Sequence, residues 1–266
     1  RDFGMWPEKD VEEGWLEDEF DKYVEEAKVE FKDKITNGCF APWMMYKDEF
    51  LAIGGHDERF ASAREDSDVF NRLVLGGFEL IQSWQSFVYH LTARGGQFQH
   101  GKLTKDESQK SEEWQELMNR STREFFRKWG TPVRHDNLMM PQVAPKYDIG
   151  FVVKNCSASM LHTLEPWCST IYTDWGFKTY IDDEQPNTMY DLKERVKSRL
   201  EDTPDNDIIV EFDARELTND NFNFIVNLPI ILQDSGEIGE MQYDIFKFKI
   251  NSLETYEKEN IINSTY

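Results

Sequence analysis

The sequence is poor in cysteine: Cys39, Cys156 and Cys168 are the only three in 266 residues, and none shares a C-x-x-C spacing. Neither a disulfide framework nor a zinc knuckle is therefore indicated, and a reducing compartment fits best. Long apolar runs are also missing. None approaches the roughly eighteen residues of a membrane span, and the opening RDFGMWPEKD has no basic stretch leading into an apolar one. The chain reads as soluble and cytoplasmic, and because it begins at Arg1 without a methionine an upstream segment is expected. Positive charge is scarce, with 30 basic against 51 acidic residues and a net charge of −21. Such a field repels phosphate backbones and anionic lipid, so no nucleic-acid partner is expected. There is no G-x-S-x-G, G-x-x-x-x-G-K-[ST] or G-x-G-x-x-G, which removes ordinary serine hydrolases, NTPases and dehydrogenases. His100, His135 and His162 show no H-x-x-x-H or Cys/His spacing, which argues against zinc.

What is present is enough apolar and aromatic material, including eight Trp and nineteen Phe, to build real cores despite the charge. The length suits one large domain or two small ones. An α/β protein of two lobes is expected, over residues 1–140 and 146–266, joined by the proline-containing TPVRHDNLMMPQVAPKY. Apolar residues at Val11, Trp15, Phe20, Val24, Ala27 and Phe31 predict an amphipathic helix within residues 10–34. GCFAPWMMYKDEFLAIGG predicts a short strand or loop and then a brief helix. Ser62 and Glu65 have capping-box spacing, and Val69, Phe70, Leu73 and Val74 form a helical stripe ending at Gly76-Gly77. FELIQSWQSFVYH predicts one or two strands, and residues 105–129 a further amphipathic helix.

In the second lobe the pattern alternates. IGFVVKN, FKTYI and DIIVEFD are the predicted strands, with a helix from 160 to 171, late or kinked at Pro166, and another around Leu192, Val196 and Leu200. This is βαβαβ with right-handed crossovers. A helix broken near Pro229 and a last strand in QYDIFKFKI complete the reading.

The concentration of acid at EDSDVFNRL, residues 65–73, bears most on function. Three carboxylates, Glu65, Asp66 and Asp68, stand against an apolar helical run. Taken alone they suit a solvated helix start, stabilised by the helix dipole, more often than a site that uses a negative field. The surrounding order FAPWMMYKDEFLAIGGHDERF, EDSDVFNRLVLGGF, FVYH resembles the C-terminal half of a GT-A glycosyltransferase, closest to the beta-1,4-galactosyltransferase type and related family 2 enzymes. The likeness covers residues 38–100. It implies an inverting, metal-dependent transfer of a sugar from a nucleotide-sugar donor to an acceptor hydroxyl, the acceptor being a glycan or another hydroxyl compound. In that reading Asp66 is the catalytic base and Glu65 its acceptor-binding partner; Gly54, Gly55, Asp68 and Arg72 bind substrate; and His90 ligates manganese or magnesium.

The chemistry is coherent, because an inverting transferase must take a proton from the attacking hydroxyl while a cation neutralises the leaving diphosphate. The family's D-x-D motif lies in a nucleotide-binding half, and nothing in residues 1–50 resembles that half. Asp213, ending DIIVEFD, is the candidate strand-end metal ligand here, although D-A-R lacks the second aspartate and a buried strand ending in a polar turn is the favoured account. The galactosyltransferase Trp after Gly-Gly is replaced by His56-Asp57-Glu58, which leaves the acceptor open. The alternative is a catalytically incomplete glycan- or partner-binding module of a larger viral or bacterial assembly. On the helix-start reading of Asp68, Asp68→Asn is expected to cost at most about 1 kcal/mol.

Overall fold

The computed structural model describes residues 17–61, 63–88, 112–175 and 177–261. Helix α1, Glu17–Glu30, lies inside the predicted 10–34 segment and buries Ala27; Val11 and Trp15 fall outside the described residues. Strand β1, Ile35–Asn37, pairs antiparallel with β2, Ile81–Ser83, with Thr36 opposite Gln82. Between them come the brief helix α2, Lys47–Ala52, and α3, Glu65–Leu75. Helix α3 buries Val69, Phe70 and Leu73 against Ile53 and Leu80, as its stripe predicted, and ends at Gly76. Its start differs from expectation. The N-cap is Arg64, in the left-handed region at φ 69° with no side-chain cap, and Ser62 of the expected capping box lies outside the described residues.

Helix α4, Glu112–Trp129, closes the first half; residues 105–111 of the predicted helix lie outside the described residues. The second half is a six-stranded mixed sheet. Its strands are β3 (Ile149–Lys154), β4 (Thr170–Thr173), β5 (Val196–Ser198), β6 (Ile208–Asp213), β7 (Gly239–Tyr243) and β8 (Phe246–Ile250). They lie in the order β5-β4-β3-β6-β8-β7, the first four parallel and the last two an antiparallel hairpin on the edge. Helices α5 (Ala158–Leu164), α6 (Phe177–Glu184), α7 (Leu192–Arg195) and α8 (Asn219–Ser235) complete eight helices among the described residues. Leu161, Leu164, Ile181, Leu192, Ile225 and Leu228 pack on Phe151, Val153, Ile171, Val210 and Phe212 of the sheet.

Three predicted elements change identity here. FKTYI is the start of α6 rather than a strand, because Tyr180, Ile181 and Glu184 share the buried face at helical spacing. The strand lies earlier, at Thr170–Thr173, where β-branched and aromatic residues follow the stop imposed by Pro166 in a single 3₁₀ turn. The helix expected around Leu192, Val196 and Leu200 lasts one turn and becomes β5 at Val196. Finally, α8 runs unbroken through Pro229, which is buried in its interior. A βαβαβ order is present as β3-α5-β4-α6-α7-β5, built from other segments than those expected: the helix expected over 160–171 ends at Leu164, and β6 follows β5 with no helix between them.

Helix α4 is shared by both cores. Phe125 and Trp129 pack with Phe60 of the first half, while Phe126 stacks on Trp167 of the second at 4.1 Å. An ionic network reinforces the second contact. Arg127, fully buried, donates to Glu165 Oε2 at 2.7 Å, Glu184 Oε1 at 2.8 Å and Glu124 Oε1 at 2.6 Å. Glu165 also accepts from Arg195 at 2.5 Å and from the Tyr180 hydroxyl at 2.9 Å. Burial by itself would raise the Glu165 carboxyl, but the Arg195 and Arg127 guanidiniums beside it bring it down to about 2.

Because that carboxyl is depressed from its ordinary 4.5, its stabilising contribution is complete above pH 4.5 and is lost as pH falls towards 2. Glu165→Gln leaves two buried guanidiniums short of a counter-charge and should lower unfolding free energy by about 3–5 kcal/mol at neutral pH. Urea titrations across that acid window are expected to show the stability difference between parent and variant shrinking as pH drops; a constant difference would place the stabilisation elsewhere.

Candidate active site

A cavity of about 250 Å³ opens between residues 39–41, the first turn of α3 and the segment 133–141. The expected linker is thus a wall of the site. Its shape is set locally: Asp136 Oδ1 accepts from the backbone of Leu138 at 2.8 Å and Met140 at 2.9 Å, and His135 bridges to Pro141. The opposing wall is tied to it by Cys39 N donating to Met139 O at 3.4 Å. Gly38, at φ 147°, has to be glycine, since a Cβ there would overlap the carbonyl oxygen of Leu138.

Glu65 and Asp66 both line this cavity. Asp66 Oδ1 accepts from the Trp43 indole N–H at 3.3 Å, and that indole is wedged between Phe50 at 5.8 Å and Phe70 at 5.7 Å. One Asp66 oxygen is therefore held while the carboxylate still faces the cavity. Glu65 Oε2 is shielded from solvent and has no hydrogen-bond partner among the described residues. A buried carboxylate oxygen without a donor is costly to the fold.

Arg64, Arg134 and His135 stand around the same cavity and offset the two acids. Arg64 is anchored through Nε to Thr122 Oγ1 at 3.2 Å and Arg134 through Nη2 to Asn227 Oδ1 at 2.8 Å. His135 Nδ1 lies 2.9 Å from its acceptor, the Asp136 carbonyl, so that nitrogen carries the proton and Nε2 is the accepting one in the neutral ring. Burial and the nearby Asp66 carboxylate push the Cys39 thiol up to about 11, so it lines the cavity as a neutral group rather than as a nucleophile. Trp43, Arg64, Arg134 and His135 had no role in the sequence reading. Only Trp43 carried a signal, as an aromatic inside the quoted FAPWMMY.

The other sequence-derived candidates do not join this cavity. Asp68 is completely buried, 61 residues in sequence from the Trp129 indole that donates to its Oδ1 at 2.9 Å. Its carboxylate also meets Lys128 Nζ at 2.6 Å and Arg72 Nε at 2.9 Å. Arg72, equally buried, spends its remaining donors on the carbonyls of Ile53 and Gly55, the latter at 2.5 Å. Gly54 and Gly55 adopt φ of 91° and 63°, so they shape the turn that Arg72 clamps. The acidic and Gly-Gly stretches are thereby welded together, and the surface helix-start picture of Asp68 is corrected: it is the counter-ion of two buried cations. Lys128 reaches Asp57 as well, at 2.7 Å; burial would raise that carboxyl, and the Lys128 hydrogen bond holds it below the usual range.

His90 lies outside the described residues. Asp213 ends β6 with both oxygens engaged, Oδ1 by the Arg215 backbone at 3.0 Å and Oδ2 by Arg215 Nη2 at 2.7 Å and Asn155 Nδ2 at 2.8 Å. Arg215 hydrogen bonds keep the Asp213 carboxyl far below its ordinary range. Among the described residues no group of three or more His, Cys, Asp or Glu converges to hold a metal ion. No helix there is long and apolar enough to cross a membrane.

The fold and site together define a mixed α/β protein with a paired-carboxylate cavity at the start of a helix. In comparison with known proteins, no protein-family model, curated protein or solved structure matches the chain.

The two neighbouring acids should separate cleanly in stability. Asp68→Asn leaves Lys128 and Arg72 buried without their shared counter-charge and is expected to cost about 3–5 kcal/mol. Asp66→Asn keeps an acceptor for the Trp43 indole and should change stability by no more than about 1 kcal/mol. Chemical denaturation of both variants decides this; equal losses would mean that Asp66 is also structural.

Proposed function

We propose that the chain is the acceptor-side part of an inverting sugar transferase of the GT-A type, moving a sugar from a nucleotide-sugar donor to a hydroxyl of a glycan or similar acceptor. The observation that carries this reading is the placement of Glu65 and Asp66 on one cavity, with Asp66 fixed by Trp43. The reaction needs one carboxylate to receive a proton and another group to orient the acceptor, and these two acids suit the two tasks.

In this reading the Glu65 carboxylate accepts a hydrogen bond from one acceptor hydroxyl and aligns its neighbour for attack. The attacking oxygen forms its bond to the anomeric carbon as the bond from that carbon to the diphosphate oxygen breaks, and the diphosphate departs with the electron pair. The hydroxyl proton passes to Asp66, and attack opposite the leaving group inverts the anomeric centre. The cavity, at about 250 Å³, lies below the roughly 300 Å³ at which pockets begin to enclose whole ligands. That size suits one acceptor sugar rather than an entire sugar nucleotide. A divalent cation, manganese or magnesium, enters through the resemblance at His90 and would neutralise the leaving diphosphate. The described residues assemble no ligand set for it, so the argument rests on the carboxylates.

The test is turnover of the full-length protein against a panel of uridine- and guanosine-diphosphate sugars, read as release of the nucleoside diphosphate. Asp66→Asn should lower turnover by about two to four orders of magnitude, as loss of a general base does, without a matching loss of stability. Glu65→Gln should act mainly by raising the acceptor KM. Small and equal effects from both substitutions would make the cavity a binding site and the chain a glycan- or partner-binding module.

A further inference from the structure

The parallel strands run β5-β4-β3-β6, so the chain builds outward on one side of β3 and then returns to its other side. In open α/β sheets the carboxyl ends of the strands flanking such a reversal form a crevice that takes ligands. Here that edge carries a coherent set of side chains. Asn155, just beyond β3 and left-handed at φ 54°, is its hub. Its backbone N–H donates to Asp174 Oδ2 beyond β4 at 2.8 Å, and its side-chain amide donates to Asp213 Oδ2 at the end of β6 at 2.8 Å. Arg199 pairs with Asp174, and Arg215 with Asp213. Over the end of β3 lies Trp175, 64% exposed yet fixed by its indole N–H donating to Cys156 O at 3.1 Å.

We propose that this edge is a second binding site, taking the neutral sugar residues of an oligosaccharide with Trp175 as the stacking platform. Trp175 is the one exposed tryptophan among the described residues, and a ring already held in place loses little freedom when a ligand stacks on it. Beside it, the two arginine–aspartate pairs and the Asn155 amide offer planar donors and acceptors side by side, the pattern that adjacent sugar hydroxyls engage. The charges of each pair cancel, which selects a neutral ligand.

A phosphate is disfavoured at the same place. The turn Asn155-Cys156-Ser157 has no glycine to let a phosphate approach the backbone, the Asn155 N–H is already given to Asp174, and the Met160 N–H of α5 is given to the Ser157 hydroxyl at 3.2 Å. None of these residues lines the cavity that holds Asp66, so the inference does not depend on sugar transfer.

Calorimetry on the full-length protein with maltohexaose, cellohexaose and chitohexaose, and with uridine diphosphate as a charged probe, tests the assignment. At least one hexasaccharide should bind; Trp175→Ala should weaken it about tenfold or more, and Trp175→Phe should weaken it less because a ring remains. Circular dichroism and melting of the exposed Trp175 variants establish that they fold. Failure of all three sugars to bind, binding indifferent to Trp175→Ala, or displacement of the sugar by uridine diphosphate would each overturn the proposal.

Discussion

Two consecutive cations near the end of α4 hold the molecule together. Lys128 turns towards the first half and neutralises Asp57 and Asp68, while Arg127 turns towards the sheet and neutralises Glu124, Glu165 and Glu184. A helical step of about 100° between neighbours lets adjacent side chains serve opposite sides of one helix. Both charges are almost wholly buried, so each network must be satisfied within the protein, and neither half can shed α4 without leaving bare charge in its interior. The carbonyls at the end of α4 are tied in as well: Lys146 Nζ donates to Arg127 O at 3.1 Å and Lys128 O at 2.6 Å.

This arrangement explains how an acidic motif can be both architecture and site. Asp66 and Asp68 are separated by about 200° around α3, so the same two-residue spacing that sends Asp68 into the core leaves Asp66 at the cavity. Asp68, through Arg72, holds the Ile53–Gly55 turn, and Trp129 pins it from α4. The first turn of α3 is thus fixed from behind by buried charge and in front by the Trp43 indole. A carboxylate positioned so firmly is pre-organised, the property on which the proposed chemistry depends.

Much of the second half was legible from pattern because its strands are buried and bounded by turn residues. DIIVEFD and IGFVVKN read correctly for that reason, whereas FKTYI did not: five residues of alternating type fit a strand and a helical face equally, and only the packing of Tyr180 and Ile181 decides between them. Pro229 misled in the other direction. A proline removes one helical hydrogen bond, but the flanking residues Ile225, Leu228 and Leu232 bury enough apolar surface to carry α8 through it.

The sequence by itself determined the α/β class, the α3 helix with its glycine stop, and the presence of an unusual carboxylate group at its start, since these depend on local periodicity and composition. Which carboxylate does what was decided by tertiary structure. Asp68 became a buried counter-ion only because Lys128 and Trp129, some sixty residues away, fold against it, and Asp66 gained its cavity only because the segment at 133–141 closes over residues 39–41. Charged side chains behave according to their solvation and their partners, and partners so distant in sequence leave no mark on the local spacing that a motif records.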